Sequence, residues 1–236
     1  MKKVFTILLS LGLLSAQGQD LNQFYKQVDS FLGKYTKDGR VSYDKINKSL
    51  KDVEPIYKQI GEMNLSNASD NEKIAFYINA YNMIVIYQVA KYYPLKSALD
   101  QSGFFDKVKH KVAGEMITLN ALEIIKLLRN YKDPKFHFVL ACAAKGCPKL
   151  ASYAYYPDKL QEQIDARTKT ALNDSRFIRV NDNSNKVNVS MIFKWYIKDF
   201  TQNGQSVISF INTYKTNKIP DNYQLDYYPY DWSLNM

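Results

Sequence analysis

Apolar residues recur every three or four positions through most of the first half of the chain, which is the spacing of amphipathic helices. This pattern predicts a first helix that is capped by Asp20 or Asn22 and ends near Tyr35. It predicts a second helix over residues 42–63, with a kink or a break at Pro55. The first part of the fold is therefore expected to be helical.

The most apolar helix is predicted over residues 70–92. Ser69 and Glu72 have the spacing of a capping box at its start. Between residues 74 and 90 the strongly polar positions are only Asn79, Asn82 and Gln88. A helix with so few polar positions is typical of one buried on most sides, so we expect it at the centre of the fold.

Alternating and continuous apolar segments in the second half predict strands. Residues 107–117 alternate around an Ala113-Gly114 turn, residues 136–142 have the pattern of a buried strand, and residues 177–189 and 223–232 predict a hairpin and a final strand. Helices are predicted between them, at about 118–129, 157–172, 190–200 and 207–215. The order of elements favours an α+β fold, with a helical N-terminal half packed on a small, mostly antiparallel sheet formed by the C-terminal half. No long Gly/Pro/Ser-rich linker divides residues 19–236, which are expected to form a single globular domain.

The first 18 residues have the three parts of a secretory signal peptide. Lys2 and Lys3 precede an apolar stretch over residues 4–14, and small residues follow at Ala16 and Gly18. The stretch is about half the roughly 20 residues that span a bilayer, so no integral membrane span is expected after signal removal. The predicted location is periplasmic or secreted.

The formal net charge of +9 is carried mainly by lysine, which supplies 27 of the 32 basic residues and is spread along the chain. Because no basic run forms a stripe, a nucleic-acid partner is not expected. An apolar fraction of 46% is ample for a folded core. We therefore expect a globular protein whose partner is a small molecule or a peptide of unknown identity.

Few residues are available for chemistry, since the chain has two histidines, His110 and His137, and two cysteines, Cys142 and Cys147. Two histidines on separate elements are too few for a hydrolytic metal site, and no glycine-rich phosphate loop is present, so neither a metal nor a cofactor is expected. A cysteine paired with a histidine remains. A thiol attacks as thiolate, which a nearby imidazole or backbone N–H groups stabilise.

Cys147 is the candidate nucleophile. Gly146 permits a sharp turn before it, and Pro148 suits the first position of a short helix whose free N–H groups would point to the sulfur. His137 lies ten residues earlier, and its ring must be oriented by an acid or an amide. Candidates for that role are Glu123, Asn79 and Asn82, of which Glu123 is preferred because its helix leads directly into the predicted strand.

Four segments together resemble a known family. They are Phe76–Asn82, Phe136–Cys142 with Gly146-Cys147-Pro148, Ile192–Phe200, and Tyr230–Asn235. In this order they resemble exported bacterial members of the family called domain of unknown function 547, from about Gly39 to Asn235. The resemblance implies a domain and a suspected cysteine-centred site, but no established reaction. Many members have Glu-His where this chain has Glu123-Ile124.

Two functional hypotheses remain open, one enzymatic and one not. In the first, a cysteine hydrolase or acyl transferase acts on peptide or amide bonds: Cys147 attacks, His137 shuttles the proton and Glu123 holds the ring. In the second, Cys142 and Cys147 form a disulfide in a non-catalytic module that binds a ligand or partner. Asn79 and Asn82 share one helix face, where they bind substrate or satisfy backbone groups of a loop.

Overall fold

Helices dominate the first half of the computed structural model, which describes residues 21–236. The predicted signal peptide and Asp20 lie outside the described residues. Residues 21–35 are helical, as predicted. The predicted helix over 42–63 is divided into Tyr43–Lys48, a 3-10 turn at Leu50–Asp52, and Glu54–Glu62. Pro55 lies in the first turn of the last of these, where its missing N–H has no intrahelical partner to lose.

The central helix runs from Asp70 to Tyr92. The Ser69 side chain accepts from the Glu72 N–H, and the Glu72 carboxylate accepts from the Ser69 N–H at 2.8 Å, so the predicted capping box is confirmed. Fourteen of its residues are buried, among them Ile78 and Ile86. The prediction that this helix lies inside the fold is also confirmed.

Within residues 21–236 the strands form three small sheets. Their bounds are β1 Thr36–Lys37, β2 Arg40–Val41, β3 Lys109–Val112, β4 Glu115–Thr118, β5 Ile178–Asn181, β6 Lys186–Ser190 and β7 Gln224–Tyr228. The pairs β1–β2, β3–β4 and β5–β6 are antiparallel, whereas β6 and β7 pair in parallel. With about 51% helix, the α+β class is confirmed. The strands do not join into one sheet. The turn between β3 and β4 is instead hydrogen-bonded to the end of the Glu54–Glu62 helix through the Ala113 and Gly114 N–H groups.

The predicted strand over residues 136–142 is wrong. Pro134–Phe138 is a 3-10 helix, and an irregular segment follows it. The Asp133 side chain accepts from the Lys135 N–H at 2.9 Å, and Pro134 occupies the first turn, so this sequence begins a helical turn. The apolar residues that suggested a strand are buried without strand partners.

The remaining helices are mostly those predicted. Residues 119–131 form one helical segment, whose middle part, Leu122–Leu128, is π-helical. Thr118 caps it by accepting from the Ala121 N–H at 3.1 Å. The other helices are Ala98–Asp100 (3-10), Leu160–Asn173, Ile192–Trp195, Ile197–Phe200, Gln202–Gly204 (3-10) and Val207–Tyr214. None of the helices described is both long and apolar enough to cross a membrane.

Two hydrophobic clusters form the core. The larger contains the central helix and most of the N-terminal half, and the smaller contains aromatic residues of the C-terminal half. The short helix around His137 joins them, since Phe136 belongs to the larger cluster and Phe138 to the smaller. His137 is therefore held at the boundary between the two clusters.

Candidate functional site

A cavity of about 410 Å³ opens at this boundary. Phe104 and Leu140 of the larger cluster line it, together with Ile192 of the smaller one. We call it the aromatic cavity, after Tyr81, Phe104, Phe105, Trp195, Tyr196, Tyr230 and Trp232 in its lining. Four of the sequence-predicted site residues also line it: Glu123, His137, Cys142 and Cys147.

The aromatic residues near the C-terminus pack against one another. The ring centroids of Trp195 and Tyr230 are 5.0 Å apart, and those of Tyr230 and Trp232 are 4.8 Å apart. The two indoles are stacked with centroids 5.9 Å apart. Trp195 is nevertheless 46% exposed, so a broad apolar face remains uncovered. Such a face, next to polar groups, is typical of a ligand site.

His137 is buried, and its ring is held between aromatic rings. The centroid of Tyr196 lies 4.1 Å away and that of Phe200 lies 5.2 Å away. Its Nε2 lies 2.8 Å from Oδ2 of Asp199, which is a short hydrogen bond. Asp199, which lies on the Ile197–Phe200 helix, thus fixes one side of the ring.

Glu123 faces the other ring nitrogen. It lies on the π-helical stretch, a geometry that is frequent at functional sites. Its Oε1 is 3.8 Å from Nδ1 of His137, which is too long for a hydrogen bond. Burial raises the pKa of Glu123, and the nearby His137 and the hydroxyls of Tyr196 and Tyr81 oppose this rise. The carboxyl group therefore keeps its proton to a higher pH than a glutamic acid in water.

Asp199, His137 and Glu123 form a row of three groups that can hold a proton. In the tautomer that donates from Nε2 to Asp199, the ring lone pair lies on Nδ1, which faces Glu123. The arrangement can hold a proton at the wall of the aromatic cavity.

The two cysteines are joined as a disulfide, with their Cα atoms 6.4 Å apart. The Tyr230 hydroxyl lies 3.0 Å from each sulfur atom, and the Cys142 N–H donates to the Cys147 sulfur at 3.0 Å. Both cysteines are partly exposed, and both line the aromatic cavity. The bond leaves no free thiolate on Cys147 in this state.

The loop that carries Cys147 is tied to the C-terminal segment. The Lys145 and Gly146 N–H groups donate to the carbonyls of Ser233 and Asp231, at 2.8 and 2.9 Å. A Cβ on residue 146 would lie 2.9 Å from the Tyr230 ring, so glycine is needed for this close approach. No helix begins at Pro148, contrary to the expectation. The backbone donor to the sulfur is the Cys142 N–H instead, because the chain folds back over the disulfide.

Asn79 and Asn82 are buried and use their amides on the backbone. Asn79 donates to the Tyr155 carbonyl at 2.8 Å and accepts from the Tyr155 N–H at 3.0 Å. Asn82 donates to the Val139 carbonyl and accepts from the Ala141 N–H, both at 2.9 Å. Neither residue lines the aromatic cavity. Their substrate-binding role stays a prediction, whereas their hold on two loops is a feature of the fold.

The predicted catalytic residues line one cavity, but the sequence analysis missed two residues that contact them. It did not include Asp199 in the site, yet Asp199 contacts His137. It gave no role to Tyr230, which contacts the disulfide from 83 residues further along the chain. The only available signal was that both residues lie in segments that resemble the family. Among residues 21–236, no group of three or more His, Cys, Asp or Glu side chains is arranged to hold a metal ion.

Residues 65–170 match the family described as "Protein of unknown function, DUF547". The resemblance to this family is therefore confirmed over residues 65–170, which include the Asn79–Asn82 helix, Glu123, His137 and both cysteines. The exported bacterial character and the resemblance outside these residues stay predictions. No curated protein and no solved structure matches the chain significantly. The description of the family names no reaction.

Proposed function

We propose that the aromatic cavity binds a small organic molecule or a peptide side chain that has an apolar ring or chain and a hydrogen-bonding group. The observation that carries this proposal is the combination of exposed aromatic faces with one buried carboxyl group, Glu123, in a cavity of about 410 Å³. Apolar walls with a few convergent polar groups are typical of ligand sites. The disulfide favours binding over nucleophilic attack, because it occupies the Cys147 sulfur.

The apolar part of the ligand would lie on Trp195 and Trp232. Its polar group would meet Glu123, which donates a hydrogen bond while protonated and accepts one when ionised. His137 and Asp199 would act as positioning residues, since they set which of the two states Glu123 adopts. We further propose that the protein works outside the cytoplasm, where a disulfide persists and where the predicted signal peptide would direct it.

Tryptophan fluorescence tests this proposal directly, because both tryptophans of the chain line the cavity. We would titrate N-acetyl-phenylalanine amide and benzyl alcohol as probes and follow the emission. We expect saturable changes for the wild type and about tenfold weaker binding for Trp195→Ala, measured by calorimetry. The control is Met116→Ala, since Met116 is 57% exposed and lies outside the cavity. Equal loss in both variants, or no saturable signal for either probe, would overturn the proposal.

A cysteine hydrolase or acyl transferase is the second candidate, and the donors around Cys147 favour it. Once an external dithiol has reduced the disulfide, the Tyr230 hydroxyl and the Cys142 N–H would stabilise a thiolate on Cys147. That thiolate would attack an amide carbonyl and form a thioester as the amine leaves with a proton. Water would then hydrolyse the thioester and regenerate the thiol. His137 would supply the proton to the amine, with Glu123 and Asp199 on either side of its ring.

Alkylation with iodoacetamide separates the two candidates. Without reductant, neither cysteine of the wild type should react. Cys142→Ala frees Cys147. If Cys147 is a nucleophile, it should then react quickly at mildly acidic pH, and the double variant Cys142→Ala/Tyr230→Phe should react more slowly. The hydrolase or acyl transferase is rejected if Cys147 is labelled with the pH profile of an ordinary thiol, whose pKa is about 8.5, and if Tyr230→Phe has no effect on the rate.

A further inference from the structure

Arginine is concentrated at a second cavity, of about 300 Å³, which also has Cys147 in its lining. The chain has only five arginines among its 32 basic residues. Four of the five line this cavity: Arg40, Arg167, Arg176 and Arg179. We call it the arginine cavity. Apart from Arg129, the basic residues elsewhere in the chain are lysines, so the concentration of arginine is specific to this cavity.

Positive charge is in excess around the arginine cavity. Lys145 and Lys149 line it as well, while its acidic lining residues are Asp38, Asp174 and Asp231. Of the four arginines that line the cavity, all within the described residues, only Arg176 is paired with a carboxylate, that of Asp174 at 2.7 Å. The Asp231 carboxylate accepts from the Ser233 hydroxyl and N–H, at 2.6 and 2.9 Å. A net positive charge therefore remains without a carboxylate partner.

Two of these guanidinium groups are held in place by the protein but have N–H donors left over. The Arg179 guanidinium lies 3.7 Å above the Tyr228 ring, and its Nε donates to the Arg176 carbonyl at 3.1 Å. Arg167 donates through Nη2 to the Lys149 carbonyl, and its buried Nε has no hydrogen-bond partner. A buried donor without a partner is costly, and an anion paired with the same guanidinium group would offset part of that cost.

We propose that the arginine cavity binds a phosphate group, either of the free ion or of a small phosphomonoester. Arginine presents a planar fork of donors that matches the oxygens of phosphate, and guanidinium groups from separate elements here face one space. Arg40 lies on β2, Arg167 on the Leu160–Asn173 helix, and Arg179 on β5. A tetrahedral dianion can accept from all three at once, whereas a flat carboxylate offers only two oxygens.

The two cavities share Cys147, so the proposed phosphate site lies next to the aromatic cavity. The proposal does not depend on what the aromatic cavity binds. The test therefore follows phosphate binding alone, with the oxidised protein, and needs no knowledge of the other ligand.

The experiment is calorimetric titration with inorganic phosphate and with phenyl phosphate, at constant ionic strength. Arg40→Gln and Arg179→Gln remove one charge each from exposed side chains, so folding should be preserved. Arg129→Gln is the matched control, because Arg129 is also exposed, carries the same charge and is the one arginine outside the cavity. Circular dichroism confirms that each variant is folded.

We expect saturable binding that is about tenfold weaker in Arg40→Gln and in Arg179→Gln and unchanged in Arg129→Gln. Tighter binding of phenyl phosphate than of inorganic phosphate would indicate an organic phosphate, and equal binding would indicate the free ion. The proposal fails if neither probe binds at about 10 mM. It also fails if Arg129→Gln weakens binding as much as the other two substitutions, since that result would mean that only overall charge matters.

Discussion

Replacing Asn82 with alanine tests how the central helix holds the segment between His137 and Cys142. Asn82 is 2% exposed, and its amide satisfies the Val139 carbonyl and the Ala141 N–H. In Asn82→Ala both backbone groups remain buried without a partner. Each such group costs about 1–3 kcal/mol, so we expect a loss of about 4 kcal/mol in the free energy of unfolding.

Urea unfolding of the oxidised protein measures this loss. For a chain of this size, about 4 kcal/mol corresponds to a decrease in Tm of about 8–16 °C. The Ala141 amide should also exchange its hydrogen faster than in the wild type, because its acceptor is gone. Binding of N-acetyl-phenylalanine amide should weaken as well, since Leu140 and Cys142 of this segment line the aromatic cavity.

The matched control is Asn71→Ala on the same helix. Asn71 is exposed and donates only one long hydrogen bond, at 3.4 Å to the Pro157 carbonyl. Its replacement should change the free energy of unfolding by no more than about 0.5 kcal/mol. If Asn82→Ala were as mild as Asn71→Ala, or if the Ala141 amide kept its protection, the reasoning about this asparagine would be refuted.

Three further outcomes follow from the structure. Burial lowers the pKa of His110 to about 4, so stability should be lost as pH falls from about 6.5 to about 4, by about 3 kcal/mol in total. Urea unfolding at several pH values measures this loss. If the free energy of unfolding of His110→Gln depends on pH as steeply as that of the wild type, the loss comes from other groups. Burial raises the pKa of Glu123, so its stabilising contribution is present below its ordinary pKa and is lost as pH rises through the raised value. Glu123→Gln should therefore increase stability more at pH 8 than at pH 5, and the opposite order would contradict the direction of the shift. Gly146→Ala should lower the free energy of unfolding by about 1–3 kcal/mol, because its Cβ would press on the Tyr230 ring. Gly33→Ala is the control: the nearest neighbouring atom to its Cβ is 3.9 Å away, so this substitution should not destabilise the helix. Similar losses of stability in both variants would count against the steric argument.

The elements that could be predicted from the sequence are those whose cause is local. The capping box of Ser69 and Glu72 and the apolar residues after it are enough to specify the buried central helix. The turn at Ala113-Gly114 likewise marks the hairpin of β3 and β4. In both cases the deciding contacts join residues within a few positions of one another, so the pattern along the chain contains them.

The wrong strand over residues 136–142 shows where local pattern fails. An apolar run of this length suits a buried strand or a buried irregular segment equally well, because both place the side chains in the core. The choice depends on where the backbone hydrogen bonds go. Here Asn82, 59 residues before Ala141, provides the acceptor for its N–H.

The candidate site likewise has one part that the sequence predicts and one part that it does not. The sequence by itself determined which scarce residues are available, and it directed attention to Glu123, His137, Cys142 and Cys147, which do line one cavity. Only the tertiary structure decided their partners. Asp199 meets His137 from 62 residues away, and Arg40 meets three arginines of residues 167–179 at a second cavity. Such contacts depend on how the two hydrophobic clusters pack, and packing between distant segments leaves no periodic signal along the chain.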